Sequence, residues 1–269
     1  MRAQSYLMEN DDESIRLEMK TDYNRLENQA LWAGLKKGMR VADVGCGPGI
    51  TSSFLRRIVG NTGSVTAFDI AAQRIDYAKA HYQEDGIDFQ CRDVYDPLDD
   101  LGKFDFILVR FLLEYHRKHS FDIVKHLTEI LKPEGIICLI DLDHNCLSHY
   151  GLSSCLENSI MKVTKIIEEH GDFDPYAGRK LYTHLYDLGL DDISVDMKAH
   201  HLIYGDLSEV DEFNWIKKVE IAAKNSVYDF PEYPDGYNGF LNESKAFLSD
   251  PRRFTYTPII SCRGVRGGA

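Results

Sequence analysis

The sequence predicts an α/β fold, with a seven-stranded, mostly parallel sheet, helices on both of its faces and a last strand that runs antiparallel. Between residues 40 and 143, short apolar runs rich in β-branched residues alternate with amphipathic helical runs, which is typical of successive βαβ units. Two later strand-like runs, separated by added helices, fit an antiparallel pair at the edge of that sheet. With 269 residues, the chain is long enough for one such domain with insertions.

Five short apolar runs predict the strands of the parallel part. These strands are expected at 40–44, 64–69, 87–91, 104–109 and 136–141. The helices between them carry apolar residues at helical spacing and are expected at 50–59, 71–84 and 121–131. Gly60, Gly86 and Pro133 predict where these helices end, because glycine and proline favour helix termination.

Beyond residue 143 the alternation changes and longer helices are predicted. Those helices are expected at 152–169, 178–188 and 210–224. Strands are expected at 193–197 and 254–261, and the segment 229–239, rich in Pro, Gly and Tyr, is expected to be a loop. The Gly- and Arg-rich segment 263–269 is expected to be a frayed tail.

The composition excludes several classes of partner. A formal net charge of −12 opposes a nonspecific grip on nucleic acid, since phosphate binding needs a basic surface. The first twenty residues contain acids throughout, and no segment approaches the ~20 apolar residues of a membrane span. The six cysteines form no C-x-x-C pair, which fits reduced thiols in a cytoplasmic protein. We expect a cytoplasmic monomer or homodimer without a nucleic-acid or membrane partner.

The strongest local signal is the segment VADVGCGPGI, in which an apolar strand runs directly into a glycine-rich turn and then a helix. The turn contains Gly45, Gly47 and Gly49. A ligand resting on this strand end must approach the backbone closely, and side chains would occupy that space. The amides at the start of the helix can then bind a carboxylate or another electron-rich group. In dinucleotide-binding folds the third glycine falls one residue later, where this chain has Ile50.

Acidic residues come at or near the ends of the first three strands. Asp43 precedes the first glycine, and Asp69 ends the second strand, 20 residues after Gly49. A carboxylate in the position of Asp69 can accept hydrogen bonds from both hydroxyls of a ribose, although a solvated loop acid is the alternative. Asp93 follows the third strand, where a helix cap is a plausible alternative role.

Together these residues resemble motif I and the following motifs of the class I, Rossmann-like, S-adenosylmethionine (SAM) dependent methyltransferases of small-molecule type. The resemblance covers residues 35–143, including Phe104-Asp105 and the Leu131 to Gly135 turn. It implies SAM as the cofactor, with Asp93 meeting the adenine amino group. Upstream, Arg25-Leu26 and Gln29 resemble an R-L-x-x-Q motif on a helix that covers the cofactor, although helix packing explains them nearly as well. The expected cofactor-binding residues are Arg25, Gln29, Asp43, Gly45, Cys46, Gly47, Gly49, Asp69, Ile70, Arg74, Asp93, Val94 and Arg110.

On this basis we expect one methyltransferase domain over residues 1–269. Its expected parts are an N-terminal helical cover (1–34), a cofactor-binding core (35–146), and two helical insertions that cover the acceptor site (147–176 and 204–253).

Methyl transfer from a sulfonium is an in-line displacement, so the protein must align the acceptor, exclude water and remove any proton. The acceptor is expected outside the carboxyl ends of the strands, close to residues that follow the fourth and fifth strands. The candidate catalytic residues are Arg110, Glu114, His116, Asp141 and His144. The two histidines could act as a general base or could be ordinary loop histidines. The carboxylates could bind a cationic or hydroxylated acceptor or could fix Arg110.

Other readings of the sequence remain open or are disfavoured. No metal site is expected, because His200-His201 has no third ligand at metal spacing. The segment Val109 to Leu112 lacks the N-P-P-[YF] motif of related enzymes that methylate amide or nucleobase nitrogen. A NAD-dependent oxidoreductase is disfavoured by the glycine spacing. A noncatalytic SAM-binding regulator and a protein methyltransferase stay open, as do the identity of the acceptor and the atom that is methylated.

Overall fold

A computed structural model of the protein describes residues 23–268. The predicted N-terminal cover at 1–34 therefore lies mostly outside the described residues. Its described part is a helix that ends at Ala33. The helices in the described chain are α1 (Tyr23–Ala33), α2 (Ile50–Val59), α3 (Ala72–Tyr82), α4 (Ser120–Glu129), α5 (Ser154–His170), α6 (Leu181–Asp187), α7 (Glu209–Ser226) and α8 (Tyr237–Ser249).

A single sheet forms the centre of the described structure. Its strands are β1 (Arg40–Val44), β2 (Ser64–Asp69), β3 (Ile87–Cys91), β4 (Phe104–Arg110), β5 (Leu131–Leu142), β6 (His149–Tyr150), β7 (Asp191–Ile203) and β8 (Phe254–Val265). The first five strands are parallel, in the order β3-β2-β1-β4-β5. Strand β8 lies between β5 and β7 and is antiparallel to both, and the two-residue β6 pairs with its first residues. The predicted mostly parallel α/β sheet with an antiparallel last strand is confirmed.

Neighbouring residues of the central strands enter two separate cores, one on each face of the sheet. In β4, Ile107 belongs to one buried cluster and Leu108 to the other, and Leu139 and Ile140 of β5 divide in the same way. Helices must cover both faces, since each face buries its side chains completely. The apolar runs of the sequence thus follow from strands that are buried on both sides.

Several elements differ from the sequence-based prediction, and β5 begins at Leu131 rather than at residue 136. Strand β7 continues to Ile203 because it stays paired with β8 along its whole length. The expected fraying from residue 263 is wrong, since β8 extends to Val265 and the Arg266 guanidinium donates to the carbonyls of Thr128 and Leu131. The predicted loop at 229–239 ends in a helix, α8, that the sequence did not predict. Helix α8 buries Phe240, Ser244 and Leu248, one side chain per turn.

Helices α5, α7 and α8 pack against one another and form what we call the helical cover. Their shared core includes Leu156 and Val163 of α5, Ala223 of α7 and Phe240 of α8. The chain between β7 and β8 contains α7 and α8, and it leaves and re-enters the sheet at the edge where the parallel strands end. The helical cover is therefore attached to the carboxyl edge of the sheet. Within the described part of the chain, no helix combines the length and the apolar character needed to cross a membrane.

Candidate active site

The turn between β1 and α2 lies at the carboxyl edge of the sheet and is built from left-handed glycines. Gly45, Gly47 and Gly49 have φ values of 70°, 55° and 90°. A Cβ on Gly49 would lie 2.7 Å from the Ala78 Cβ, so this glycine lets α2 pack closely on α3. A Cβ on Gly47 would meet no atom of the described residues within 4 Å. The backbone at Gly47 is thus open to a ligand, and a side chain there would fill the space.

Asp69 is fixed directly beside this turn. Its Oδ2 accepts a hydrogen bond from the Gly47 amide at 3.0 Å, and its Oδ1 accepts one from the Ala71 amide at 2.9 Å. Arg74 of α3 is buried and places Nη1 3.9 Å from the same Oδ2. Each carboxylate oxygen can accept a further hydrogen bond. The structure therefore holds an oriented acceptor of hydrogen bonds at the end of β2.

Asp43 and Cys46 support the turn from within. Asp43 is buried and accepts a hydrogen bond of 2.7 Å from the Ser52 hydroxyl, which ties β1 to the first turn of α2. Burial raises the pKa of Asp43 to about 6, against the opposing effects of the Ser52 hydrogen bond and the nearby charge of Arg110. The Cys46 amide donates to the Phe68 carbonyl at 3.1 Å, and burial raises the pKa of its thiol well above the ordinary value.

The residues after β2 and β3 extend the site away from the turn. Ile70 leaves 48% of its surface exposed although it is apolar and follows the buried Asp69. The Arg92 amide donates to the Asp69 carbonyl, which keeps the two strand ends together. Asp93 accepts a hydrogen bond from the Tyr95 amide at 3.0 Å, and Val94 is buried. The exposed Ile70 side chain is suited to contact the face of a nucleobase, and the Asp93 carboxylate is suited to accept a hydrogen bond from its edge.

Arg25 and Gln29 form hydrogen bonds with the antiparallel strands of the sheet. Arg25 donates to the carbonyls of Ala199 and His200 on β7, at 2.8 and 3.1 Å. Gln29 is buried, and its Nε2 donates to the Ser261 hydroxyl of β8 at 3.2 Å. Both side chains thus tie α1 to the antiparallel side of the sheet. These contacts fit the packing alternative, and a contact of either side chain with the cofactor stays a prediction.

Glu114 and Asp141 do come together, but both are buried. Asp141 has no exposed surface, and it accepts hydrogen bonds from the amides of Glu114 at 3.1 Å and Leu142 at 2.9 Å. The Glu114 carboxylate accepts a hydrogen bond from the Asn145 side chain at 2.8 Å. Burial, together with the charge of Glu114, raises the pKa of Asp141 well above its ordinary value. In this structure the pair joins the segments after β4 and β5, and a direct contact of either carboxyl with the acceptor stays a prediction.

The two candidate bases lie in different surroundings. The His116 ring nitrogen Nδ1 is 3.0 Å from the Tyr95 hydroxyl, and burial lowers the pKa of His116. His144 adopts a φ of 49°, and its ring contacts the edge of Tyr176 with centroids 5.2 Å apart. Close to His144, Arg179 binds Asp143 through two hydrogen bonds of 2.8 and 2.9 Å. His116 thus lies toward the β3 side of the edge and His144 toward the β5 side.

A row of rings, which sequence reasoning did not single out as a site, runs from β4 into the helical cover. Arg110 ends β4, and its guanidinium lies 4.1 Å from the Phe111 ring centroid. Centroid distances then connect Phe111 to His200 (5.2 Å), His200 to His201 (4.3 Å) and His201 to Trp215 (5.4 Å). The row joins three segments that are far apart in sequence and share no motif. Only the richness of the insertions in aromatic residues could have pointed to them.

Among residues 23–268, no cluster of His, Cys, Asp and Glu side chains has the arrangement needed to hold a metal ion.

The fold and the glycine turn with its adjoining acid define the class of protein: the chain has the class I, Rossmann-like fold of the SAM-dependent methyltransferases. Residues 41–135 match the family model described as a methyltransferase domain. The ubiquinone biosynthesis O-methyltransferase of Coxiella burnetii is 32% identical over 111 residues, which are 40% of this chain and 46% of that protein. The chain thus spans about half the length of the curated relatives it matches.

Two solved structures show the extent of the likeness in fold. Haemonchus contortus phosphoethanolamine N-methyltransferase 2 in complex with SAM is 14% identical with a TM-score of 0.58, over 96% of this chain and 57% of that chain. The [4+2]-cyclase SpnF is 16% identical with a TM-score of 0.52, over 92% of this chain and 82% of that chain. At these identities the likeness is one of fold. Because one of these neighbours is a cyclase, the fold does not by itself establish methyl transfer.

Proposed function

We propose that the protein transfers a methyl group from SAM to a small-molecule acceptor. The single observation that supports this most strongly is the juxtaposition of an open Gly47 with the oriented carboxylate of Asp69. A backbone that a ligand can touch, next to an acid that can accept two hydroxyl hydrogen bonds, is what a nucleoside with an attached amino acid requires.

The residues of the turn and of the next two strand ends fit this cofactor. Asp69 would accept hydrogen bonds from the ribose hydroxyls, and Ile70 and Asp93 would contact the adenine. The amides of the glycine turn would bind the amino-acid part, above the buried Asp43. When bound, SAM supplies an electrophilic methyl group on a sulfonium. An anionic site formed by Asp43 and Asp69 is also electrostatically suited to a cation.

The chain's own contribution to the reaction is alignment and the exclusion of water. The buried contact between Asp141 and the Glu114 amide fixes the short helical turn after β4, so these residues are positioning residues in this proposal. Arg110 and His144 remain the candidates for contact with the acceptor, and His144 is the preferred candidate for a base. The helical cover closes over the same edge and would exclude solvent.

Several features favour a small acceptor. The net charge of −12 disfavours nucleic acid, and the match to an enzyme of ubiquinone biosynthesis favours a small molecule. We extend the proposal to a cytoplasmic protein that acts as a monomer or homodimer without a membrane or nucleic-acid partner.

Titration calorimetry and a product assay test the proposal. SAM and S-adenosylhomocysteine (SAH) should bind with micromolar-range affinity, while NAD should not bind. Incubation with SAM and a panel of small acceptors should release SAH with at least one of them. Tight NAD binding without SAM binding would refute the cofactor assignment. Binding of SAM with no SAH release from any small-molecule, peptide or protein acceptor would favour a noncatalytic SAM-binding protein.

A further inference from the structure

A partly open apolar cavity of about 70 Å³ lies between α5, α7 and α8, with Cys146 and His149 at its wall. Most of its lining is aliphatic or aromatic: Leu156, Ile160, Val163, Ala222, Phe240 and Leu248. An engineered cavity of roughly 150 Å³ stays dry and binds benzene. A cavity about half that size is too small for an aromatic ring, but it can take the narrow end of an alkyl chain whose remainder lies outside it.

Two of the polar groups on the cavity wall are a hydrogen-bond donor and a cation, Trp215 and Lys218. Trp215 is only 3% exposed, and within the described chain its indole Nε1 has no hydrogen-bond partner. A buried donor without an acceptor is unfavourable, which points to an acceptor atom supplied by a bound molecule. The Lys218 ammonium lies 5.1 Å from the Trp215 ring centroid and 4.0 Å from the Cys146 sulfur. Among residues 23–268, no carboxylate forms an ion pair with Lys218.

His149 also lines the cavity, but it adds no charge to the cavity wall at neutral pH. Its Nδ1 is 2.9 Å from the Thr255 hydroxyl and its Nε2 is 3.0 Å from the Cys146 carbonyl. Burial lowers the pKa of His149 to about 4, so its ring is neutral at neutral pH. Lys218 is therefore the charge that a ligand in this cavity would meet.

The row of rings described above connects the wall of the cavity to the candidate active site. Trp215 forms its wall and contacts His201, which leads through His200 to Phe111 at the end of β4. Phe111, His200 and His201 are half-buried, so a molecule held at the cavity mouth has a surface of rings to follow toward Arg110.

We infer that this cavity binds the aliphatic part of the methyl acceptor, and that Trp215 Nε1–H and the Lys218 ammonium bind an anionic oxygen of the same molecule. The inference rests on the proposed function, which it deepens by naming the acceptor as an aliphatic, anionic small molecule. A carboxylate matches both donors, because it accepts a hydrogen bond and pairs with a cation at once.

Calorimetry with octanoate as the probe, on protein saturated with SAH, tests this inference. Octanoate should bind, while octylamine of the same chain length should not, since its charge repels Lys218. Lys218→Met should weaken octanoate binding about tenfold, or ~1.4 kcal/mol. Lys217→Met is the matched control, because Lys217 is the neighbouring exposed lysine on α7, and it should change the affinity less than twofold.

A second variant tests the cavity itself. Ala222→Leu adds three carbon atoms to the cavity wall and should abolish octanoate binding, while SAH affinity and the melting temperature stay close to those of the wild type. Equal octanoate affinity in the wild type and Lys218→Met, equal binding of octylamine, or octanoate binding retained by a folded Ala222→Leu protein would each overturn the inference. A wild-type protein that binds SAH but not octanoate would overturn it too and leave the proposed function intact. Failure to bind SAH would overturn the proposed function and, with it, the assignment of the cavity to an acceptor.

Discussion

Asp69 illustrates how a single carboxylate can be oriented before any ligand arrives. Two backbone amides hold its oxygens, and one of them belongs to Gly47 in the turn itself. Asp69→Ala should therefore weaken SAH binding by about 1.5–3 kcal/mol, the range for hydrogen bonds to a charged group. Calorimetry measures this, with Asp76→Ala as a control that removes an equal charge from the exposed face of α3. Unchanged SAH affinity in Asp69→Ala would refute the ribose contact.

The open space above Gly47 can be tested by filling it with a side chain. Gly47→Val should nearly abolish SAH binding, because the new side chain would occupy the open space above the turn. Gly189→Val is a matched control, since Gly189 also has a positive φ and open space at its Cβ position but lies after α6. Both variants place valine at a positive φ and should lose a similar amount of unfolding free energy. If thermal melts show equal destabilisation, a loss of SAH binding in Gly47→Val alone comes from the blocked site and not from backbone strain. Equal SAH affinity in the two variants would contradict the role given to Gly47.

The sequence predicted residues of this site unequally well. Gly45, Gly47 and Asp69 lie close together because one turn and one neighbouring strand end position all three, and local sequence specifies both. Arg25 and Gln29 could not be placed, since their partners on β7 and β8 follow more than 170 residues later. Glu114 and Asp141 were found as neighbours, but their burial depends on Asn145 and on segments packed above them, which no local pattern reveals.

At the scale of helices and strands, the helical cover should respond to ligands as a unit. Amide hydrogen exchange in α5, α7 and α8 should slow when SAH and an acceptor bind, because closure over the carboxyl edge protects their backbone. Helix α6 packs against β8 and away from the cover, and its exchange should change little. Slower exchange in the glycine turn, with no change in any of the three cover helices, would show that the cover takes no part in binding.

Element boundaries were predictable where burial alone decides them. The bounds of β1 and β2 match the apolar runs, since these strands are enclosed on both faces, and β3 matches its run although it buries only Ile87 and Phe89. Strand β7 was underestimated because its second half has many exposed or half-buried residues and owes its conformation to pairing with β8. Helix α8 was missed since the aromatic and glycine residues at its start resemble a loop, and packing against α5 and α7 stabilises it.

For the whole molecule, buried ionisable groups set how stability depends on pH. The pKa of Asp43 is raised to about 6 in the folded state, so this state retains a proton that the unfolded chain loses above its ordinary pKa near 3.8. Stability from this group therefore falls as pH rises from about 4 to about 6. His149, whose pKa is lowered to about 4, acts in the opposite direction over much of the same range. The two effects partly cancel in the wild-type protein.

Substitution of Asp43 should separate the two effects. Asp43→Asn keeps an oxygen for the Ser52 hydroxyl and removes the titration, so its stability relative to the wild type should increase between pH 4 and pH 6.5. The increase should be at most about 3 kcal/mol, from a shift of roughly two pH units. Urea unfolding of both proteins at pH 4.5, 5.5 and 6.5 measures the difference. A stability difference that does not vary with pH would show that Asp43 keeps its ordinary pKa when folded.

The position of β8 between β5 and β7 also matters while the chain is being made. A ribosome completes β5 and β7 before β8 exists, and until then the two strands have no partner to join them. The half that contains the glycine turn can already pair its parallel strands, whereas the emerging α7 and α8 have only one attachment to the sheet. Two open strand edges are sites for mispairing with other chains. A nascent chain arrested before residue 254 should thus depend on chaperones more than one released after residue 265.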